Sequence, residues 1–170
     1  LSIANKIPDT AIMAVGMTFV LIIAGIDLSV GSVMALSGAI IGVLLVQFNQ
    51  PVWIAIAAGL FAGLLCGTLN GLLVITWSLP SFIVTLGMLE IARGMAYFAT
   101  NSKTIFVPKA LDFVTETNVM GLSLPFILAV VVVVVAQFVL SRTVFGRYMI
   151  AVGTNEEAVR LSGIDPRPIK

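Results

Sequence analysis

From Val52 to Trp77 the chain runs without a single charged side chain. A helix crossing the hydrocarbon of a bilayer needs about 20 consecutive apolar residues, with about 17 as the lower limit. A run of this length therefore has few solutions in water and an obvious one in lipid. Four further stretches approach the same standard, so the predicted spans are Thr10 to Ile26, Val30 to Val46, Val52 to Trp77, Leu79 to Ala99 and Leu124 to Leu140. Asp27-Leu28-Ser29 separates the first two, and Gln47 to Pro51 separates the second and third. Pro80 and Pro125 stand at the starts of the fourth and fifth, where a missing N–H costs least.

Composition supports lipid as the solvent. Of the 170 residues, 59% are hydrophobic and 10% charged, and the mean hydropathy is +1.14. Soluble domains are closer to half apolar and a quarter charged. The run Val130 to Val135 would suit a buried strand in a soluble protein. In a bilayer an open strand edge leaves backbone groups unpaired, and the alternation of a transmembrane barrel is absent, so helix is expected. The predicted fold class is all-α, a polytopic transmembrane helical bundle.

The single cysteine, Cys66, lies inside an apolar run, where it reads as a small packing residue. Without histidine, most zinc sites and any serine–histidine machinery are excluded, and no catalytic or metal-ligating set stands out. The chain opens at Leu1 without an initiator methionine, lacks a recognisable signal peptide and stops in a polar stretch. This is the expectation for a fragment of a longer polytopic protein.

Charge sets the expected orientation. Arg142, Arg147, Arg160, Arg167 and Lys170 all follow the fifth span, and positive segments stay in the cytoplasm. The fifth span then runs inward. The loop from Thr100 to Ser123 falls outside, where Lys103 and Lys109 are balanced by Asp112 and Glu116. The turn at Trp77 and Ser78 is cytoplasmic and Gln47 to Pro51 external. Leu1 is external if Asp27-Leu28-Ser29 is a full turn; if it is a break in a re-entrant segment, the parity of the first part changes.

Several residues inside the spans invite a role. Gly59, Gly63, Gly67 and Gly71, spaced by four, mark one helical face for close packing against a neighbour, either beside a path or as ordinary membrane packing. In Gly25-Ile26-Asp27-Leu28-Ser29-Val30-Gly31-Ser32 a helix-ending glycine precedes Asp27 and Ser29, either of which can cap a helix starting near Val30. That is a capped turn, or else a broken helix facing a water-filled path. Glu90 and Arg93 share a face and form an expected intramembrane ion pair, although Arg93 could reach for the outer interface instead. Ser81, Thr85 and Gln137 can hydrogen-bond to neighbouring helices.

The segment Thr154 to Lys170 is too polar to span. Thr154 or Asn155 can cap a short helix opened by Glu156 and Glu157 and closed by Arg160, with Gly163 as its stop and Pro166 and Pro168 preventing resumption. Ala158, Leu161 and Ser162 give it a small, partly apolar face. Such a helix either docks a soluble partner or lies on the bilayer.

Three ordered sets of residues carry a resemblance. The first is Ala11-Ile12-Met13-Ala14-Val15-Gly16-Met17-Thr18 with Gly25 to Ser32. The second is Asn70-Gly71, Pro80-Ser81-Phe82-Ile83-Val84-Thr85-Leu86-Gly87-Met88 and Arg93-Gly94. The third is Phe145-Gly146-Arg147-Tyr148, Ala151-Val152-Gly153-Thr154-Asn155-Glu156 and Leu161-Ser162-Gly163-Ile164. Together they resemble the permease subunits of bacterial ABC sugar importers, in the ribose, xylose and related monosaccharide branch.

That resemblance implies a multi-pass protein of the bacterial inner membrane working as a pair of permease subunits, expected to be a homodimer. A periplasmic binding protein delivers the sugar, a cytoplasmic ATPase subunit supplies the energy, and nucleic acid has no part. It implies no cofactor on this chain, ATP and Mg residing on the ATPase, and no chemistry by the permease. Asn155, Glu156, Glu157, Ala158, Leu161, Ser162, Gly163 and Ile164 look like the coupling helix, within 154–164. Asp27, Ser29, Ser32, Asn70, Ser81 and Thr85 are the expected translocation path. The family's usual length implies one span before Leu1 and several after Lys170. An ion-gradient-driven secondary transporter is the main alternative. An intramembrane hydrolase would need a second aspartate or a serine with a base, and Asp27 is the only aspartate in the spans. A purely structural subunit would not explain the tail helix.

Overall fold

The computed structural model describes residues 7–106, 118–119 and 122–170. Seven α-helices occur among the described residues: α1 (Pro8–Ile22), α2 (Val30–Val46), α3 (Val52–Trp77), α4 (Ser81–Thr100), α5 (Leu124–Arg142), α6 (Val144–Thr154) and α7 (Glu156–Leu161). A two-residue antiparallel pair, β1 (Asn118–Val119) with β2 (Leu122–Ser123), precedes α5 in the register Asn118 to Ser123 and Val119 to Leu122. The all-α, polytopic reading holds. Lys109, Asp112 and Glu116 of the charge-balanced loop lie outside the described residues.

The chain forms two compact units. One is Asp27–Phe113, and the other combines Leu1–Ile26 with Val114–Lys170. In the first, α2 packs against both α3 and α4, with Leu36, Cys66, Met88 and Ala92 buried between them. In the second, α1 packs on α5 and α6, and a cluster of Met149, Val152, Val159 and Ile169 closes against Phe19, Ile22, Ile23 and Leu140.

Three helices, α3, α4 and α5, are long and apolar enough to cross a membrane. On α3, Trp53 and Trp77 are each about 70% exposed near opposite ends, 24 residues apart. At 1.5 Å per residue that places them about 36 Å from one another, the spacing of two interfacial aromatic belts. Helices α1 and α2 have 15 and 17 residues and reach only about 22 and 25 Å, short of a hydrocarbon core of about 30 Å.

Helix α1 stops at Ile22, four residues before the predicted Ile26. Ala24 takes a left-handed φ of 59°, and the N–H groups of Ala24 and Gly25 donate to the carbonyls of Leu21 and Val20. This is a Schellman ending, and its left-handed position is held by Ala24 rather than by the glycine after it. An L side chain there costs about 1–2 kcal/mol. Ala24→Gly is therefore expected to raise the melting temperature of the detergent-purified protein by a few degrees, and Ala24→Val to lower it, read by thermal unfolding.

Helix α4 begins at Ser81 instead of Leu79, with Pro80 in the cap position at φ −57° and ψ 129°. Those angles already lie outside the helix, so Leu79 cannot belong to it. Helix α5 extends two residues beyond the predicted Leu140, to Arg142, whose charge suits a helix C-terminus.

Candidate functional site

The Asp27-Leu28-Ser29 turn leads into α2. One carboxylate oxygen of Asp27 accepts hydrogen bonds from the Ser29 N–H at 2.7 Å and the Ser29 hydroxyl at 2.6 Å. The Ser29 oxygen in turn accepts from Asn70 Nδ2 on α3 at 3.1 Å. Leu28 N–H donates to Thr85 Oγ1 on α4 at 3.1 Å, and that hydroxyl donates to the Ser81 carbonyl at 2.9 Å. Ser29, Asn70 and Thr85 are 1%, 7% and 3% exposed, so these three members of the cluster are buried within their unit.

The structure thus joins five of the six expected path residues, Asp27, Ser29, Asn70, Ser81 and Thr85, in one polar knot. Neither Asp27 nor Ser29 caps α2, contrary to expectation: no side-chain bond reaches the helix's first amides. The Ser29 hydroxyl is committed to Asp27 as a donor and to Asn70 as an acceptor, which turns it toward α3.

The knot is recessed. Asn70 lies seven residues before the end of α3, about 10 Å along its axis, and Thr85 lies four residues into α4, about 6 Å. Irregular backbone at that depth requires internal partners, and Asp27, Asn70 and Thr85 provide them. Asn70 Oδ1 is buried without a hydrogen-bond partner among the described residues.

Ser32 does not join the knot. It lines an adjoining cleft of about 420 Å³ between α2 and α4, together with Leu28, Gly31, Arg93 and Tyr97. Arg93 Nη1 lies 3.5 Å from Glu90 Oε1, and both side chains are more than half exposed within the unit. Gln137 is on α5, where its carbonyl accepts from the Ser141 hydroxyl at 2.6 Å.

The glycine stripe divides. A Cβ on Gly59 would come within 2.7 Å of Ile41 and 3.1 Å of the Ser37 carbonyl, and one on Gly63 would meet Ser37 Oγ at 3.4 Å. Nothing lies within 4 Å of such an atom at Gly67 or Gly71. The expected single packed face is corrected to its first half. A four-residue step advances 400°, so the stripe has turned by about 120° between Gly59 and Gly71 and leaves α2 behind.

Beyond α5, Thr143 caps α6 by accepting from Gly146 N–H at 3.1 Å, and α6 ends at Thr154. Of the two candidate caps for α7, Asn155 serves: its Oδ1 accepts from Ala158 N–H at 2.9 Å. Glu156 and Glu157 occupy the first turn. At the other end, Gly163 N–H donates to the Arg160 carbonyl and Ile164 N–H to that of Val159, while Gly163 takes φ 85°. This second Schellman ending is one that glycine suits.

Val159 is buried in the cluster of its unit, Ile164 packs against the same cluster, and Leu161 is 82% exposed. Glu156 pairs with Lys170 at 2.5 Å. A single 3₁₀ turn, Arg167–Ile169, follows Pro166, so the prolines stop the α-helix without excluding every turn. Two features escaped sequence reading. Val159 anchors α7, and α6 is a helix with Met149 and Val152 buried three apart, a helical spacing visible in the residues themselves.

Three helices long and apolar enough to cross a membrane, a recessed polar turn and a polar helix capped at both ends are the architecture of a multi-pass membrane protein. The chain belongs to the family of permease components described by branched-chain amino acid transport systems, whose model matches residues 1–170. It is similar to a ribose import permease protein of Haemophilus influenzae, 39% identical over 100% of this chain and 54% of the relative. An L-arabinose ABC transporter permease protein of Azospirillum brasilense is 38% identical over 93% of this chain and 47% of its own length. A fructose import permease protein of Rhizobium meliloti is 33% identical over 96% and 48%. The chain spans about half the length of these curated relatives. No solved structure matches it.

Proposed function

We propose that this chain is a membrane-spanning part of the permease subunit of an ATP-driven importer that carries a monosaccharide delivered by a periplasmic binding protein. The family description names branched-chain amino acids, but the curated relatives at 33–39% identity are named for ribose, arabinose and fructose, which favours a sugar. The assembly this reading calls for is a pair of permease subunits, a homodimer, in the bacterial inner membrane with its basic tail in the cytoplasm. ATP and Mg belong to a separate ATPase subunit, and the permease itself performs no chemistry.

The observation that carries the reading is α7. Its capped ends and buried Val159 hold it firmly to its own unit, while Ala158 and Leu161 face outward. A short helix held this way can receive force from a soluble neighbour and pass it to the spans through α6. Closure of the ATPase pair on ATP would move α7 and switch access from one side to the other.

The test is coupling in the full-length transporter. Leu161→Asp, Glu156→Ala and Gly163→Ala are each expected to lower sugar uptake about tenfold or more at unchanged membrane level, while ATP hydrolysis continues. Normal uptake in all three variants, or uptake abolished by a protonophore and indifferent to loss of the ATPase, would rule this reading out.

A further inference from the structure

The Glu90–Arg93 pair sits in the wrong place for a lipid-facing ornament. Glu90 is nine residues from the start of α4 and ten from its end, so it lies near mid-span. Arg93 does not reach for the nearer end of the helix; its guanidinium turns back toward Glu90. Ionised side chains at that depth face the bundle interior or a water-filled cavity, because hydrocarbon solvates them poorly. Four residues beyond Arg93, on the same helical face, stands Tyr97.

Opposite this face is the start of α2. Leu28, Gly31, Ser32 and Ala35 form the other wall of the cleft of about 420 Å³ that Arg93 and Tyr97 line. The first-turn N–H groups of α2 have no intrahelical acceptors and no side-chain cap. A Cβ on Gly31 would meet nothing within 4 Å, so backbone as well as side chains is open to an occupant. In the recessed knot beside the cleft the Ser29 and Thr85 hydroxyls are already committed to Asp27 and to the Ser81 carbonyl, and the buried Asn70 Oδ1 is the polar atom without a partner among the described residues.

We propose that the solute passes along this cleft, contacting Ser32, Arg93 and Tyr97, and that the Asp27–Asn70 knot is the strut that holds the wall rather than the path itself. The volume exceeds that of one sugar ring and its water. Hydroxyl, guanidinium and phenol groups supply donors for sugar hydroxyls, the aromatic face of Tyr97 supplies a surface for the ring's C–H edge, and Leu89 and Ala96 leave the floor apolar. Glu90 balances Arg93, so the occupant favoured is a neutral polyhydroxylated ring rather than a phosphorylated one. This inference rests on the transport reading for its solute but not for its water.

The experiment uses the full-length transporter in membranes, with native cysteines replaced and Cys66 changed to alanine. Ser32→Cys, Tyr97→Cys and, as a lipid-face control, Val134→Cys are treated with a charged, membrane-impermeant thiosulfonate. Thiols in hydrocarbon stay protonated and inert, so the two cleft cysteines should react about tenfold faster than the control or more. Equal rates at all three overturn the cleft, whatever uptake does. In parallel, Ser32→Ala and Tyr97→Phe are assayed for uptake of D-ribose, L-arabinose and D-fructose. The loss of one hydrogen bond should reduce uptake about fivefold and change the preference among the sugars, which a merely structural role would not. Unchanged uptake and preference in both variants overturn solute contact. If the cysteines react while uptake by the wild type is abolished by a protonophore and indifferent to loss of the ATPase, the transport reading fails and the water-filled cleft stands.

Discussion

Gly153→Ala should be strongly damaging to the tail unit. Gly153 lies on α6 with its Cα directly against the C-terminal end of α1: an added Cβ would overlap the Ile22 carbonyl oxygen and come within 2.8 Å of its carbon. The obstacle is backbone, which cannot rotate aside as a side chain can. Helix α6 would have to back away, and Met149 and Val152 would lose their packing on Phe19, Ile22 and Ile23. Overpacking of this kind costs about 1–3 kcal/mol where side chains yield, and more where they cannot. The expected result is a melting temperature in detergent lowered by several degrees and a reduced yield of folded protein. Gly67→Ala is the control. Its Cβ meets nothing within 4 Å, and replacing a mid-helix glycine is worth about 0.5–1 kcal/mol in stability. Equal melting temperatures for the two variants would contradict the close approach of α6 to α1.

Asp27→Ala is the second large effect. The change removes the acceptor for both the N–H and the hydroxyl of Ser29, a residue 1% exposed. Each buried donor left without a partner costs about 1–3 kcal/mol, so the pair together should cost about 2–6 kcal/mol. Asp27→Asn keeps one carboxamide oxygen in position and is expected to recover most of the loss. That contrast separates geometry from charge: a proton-carrying or ion-binding role for Asp27 would leave Asn as impaired as Ala. Thermal unfolding of the three proteins in detergent, with uptake measured in cells, distinguishes the two.

Much of the architecture could be read before any coordinates. The helices Val52–Trp77 and Val30–Val46 have the bounds read for them from the sequence, because prolines and turns bound them sharply, although of the two only Val52–Trp77 is long enough to cross a membrane. Gly163 also carried its role openly, since a stop is local and depends on few neighbours, and the cap was narrowed to Thr154 or Asn155, of which the structure uses Asn155. The end of α1 was less legible. Gly25 looks like the residue that ends the helix, yet Ala24 holds the left-handed position, and only the hydrogen bonds to Val20 and Leu21 reveal it.

The path residues separate along the same line. Asp27, Ser29, Asn70 and Thr85 attract attention as polar side chains in apolar runs, but polarity cannot say whether such groups face a solute or one another. The structure shows Asp27, Ser29 and Asn70 hydrogen-bonded in series and Thr85 accepting from the Leu28 N–H, contacts that polarity alone could not assign. Ser32 and Asp27 are five residues apart and belong to different surroundings, whereas Tyr97 and Ser32, 65 residues apart in the chain, line the same cleft.

What the amino-acid order determined alone is what depends on solvent and on neighbours within a turn or two: lipid as the medium, helix as the only backbone that closes its own hydrogen bonds there, and the glycine stop of the tail helix. The tertiary structure decided which polar groups satisfy each other, which glycine admits a neighbouring backbone and which charged face borders open space. Those outcomes rest on approaches of a few ångströms between residues far apart in the chain, and periodicity along one helix carries no information about the distance to another.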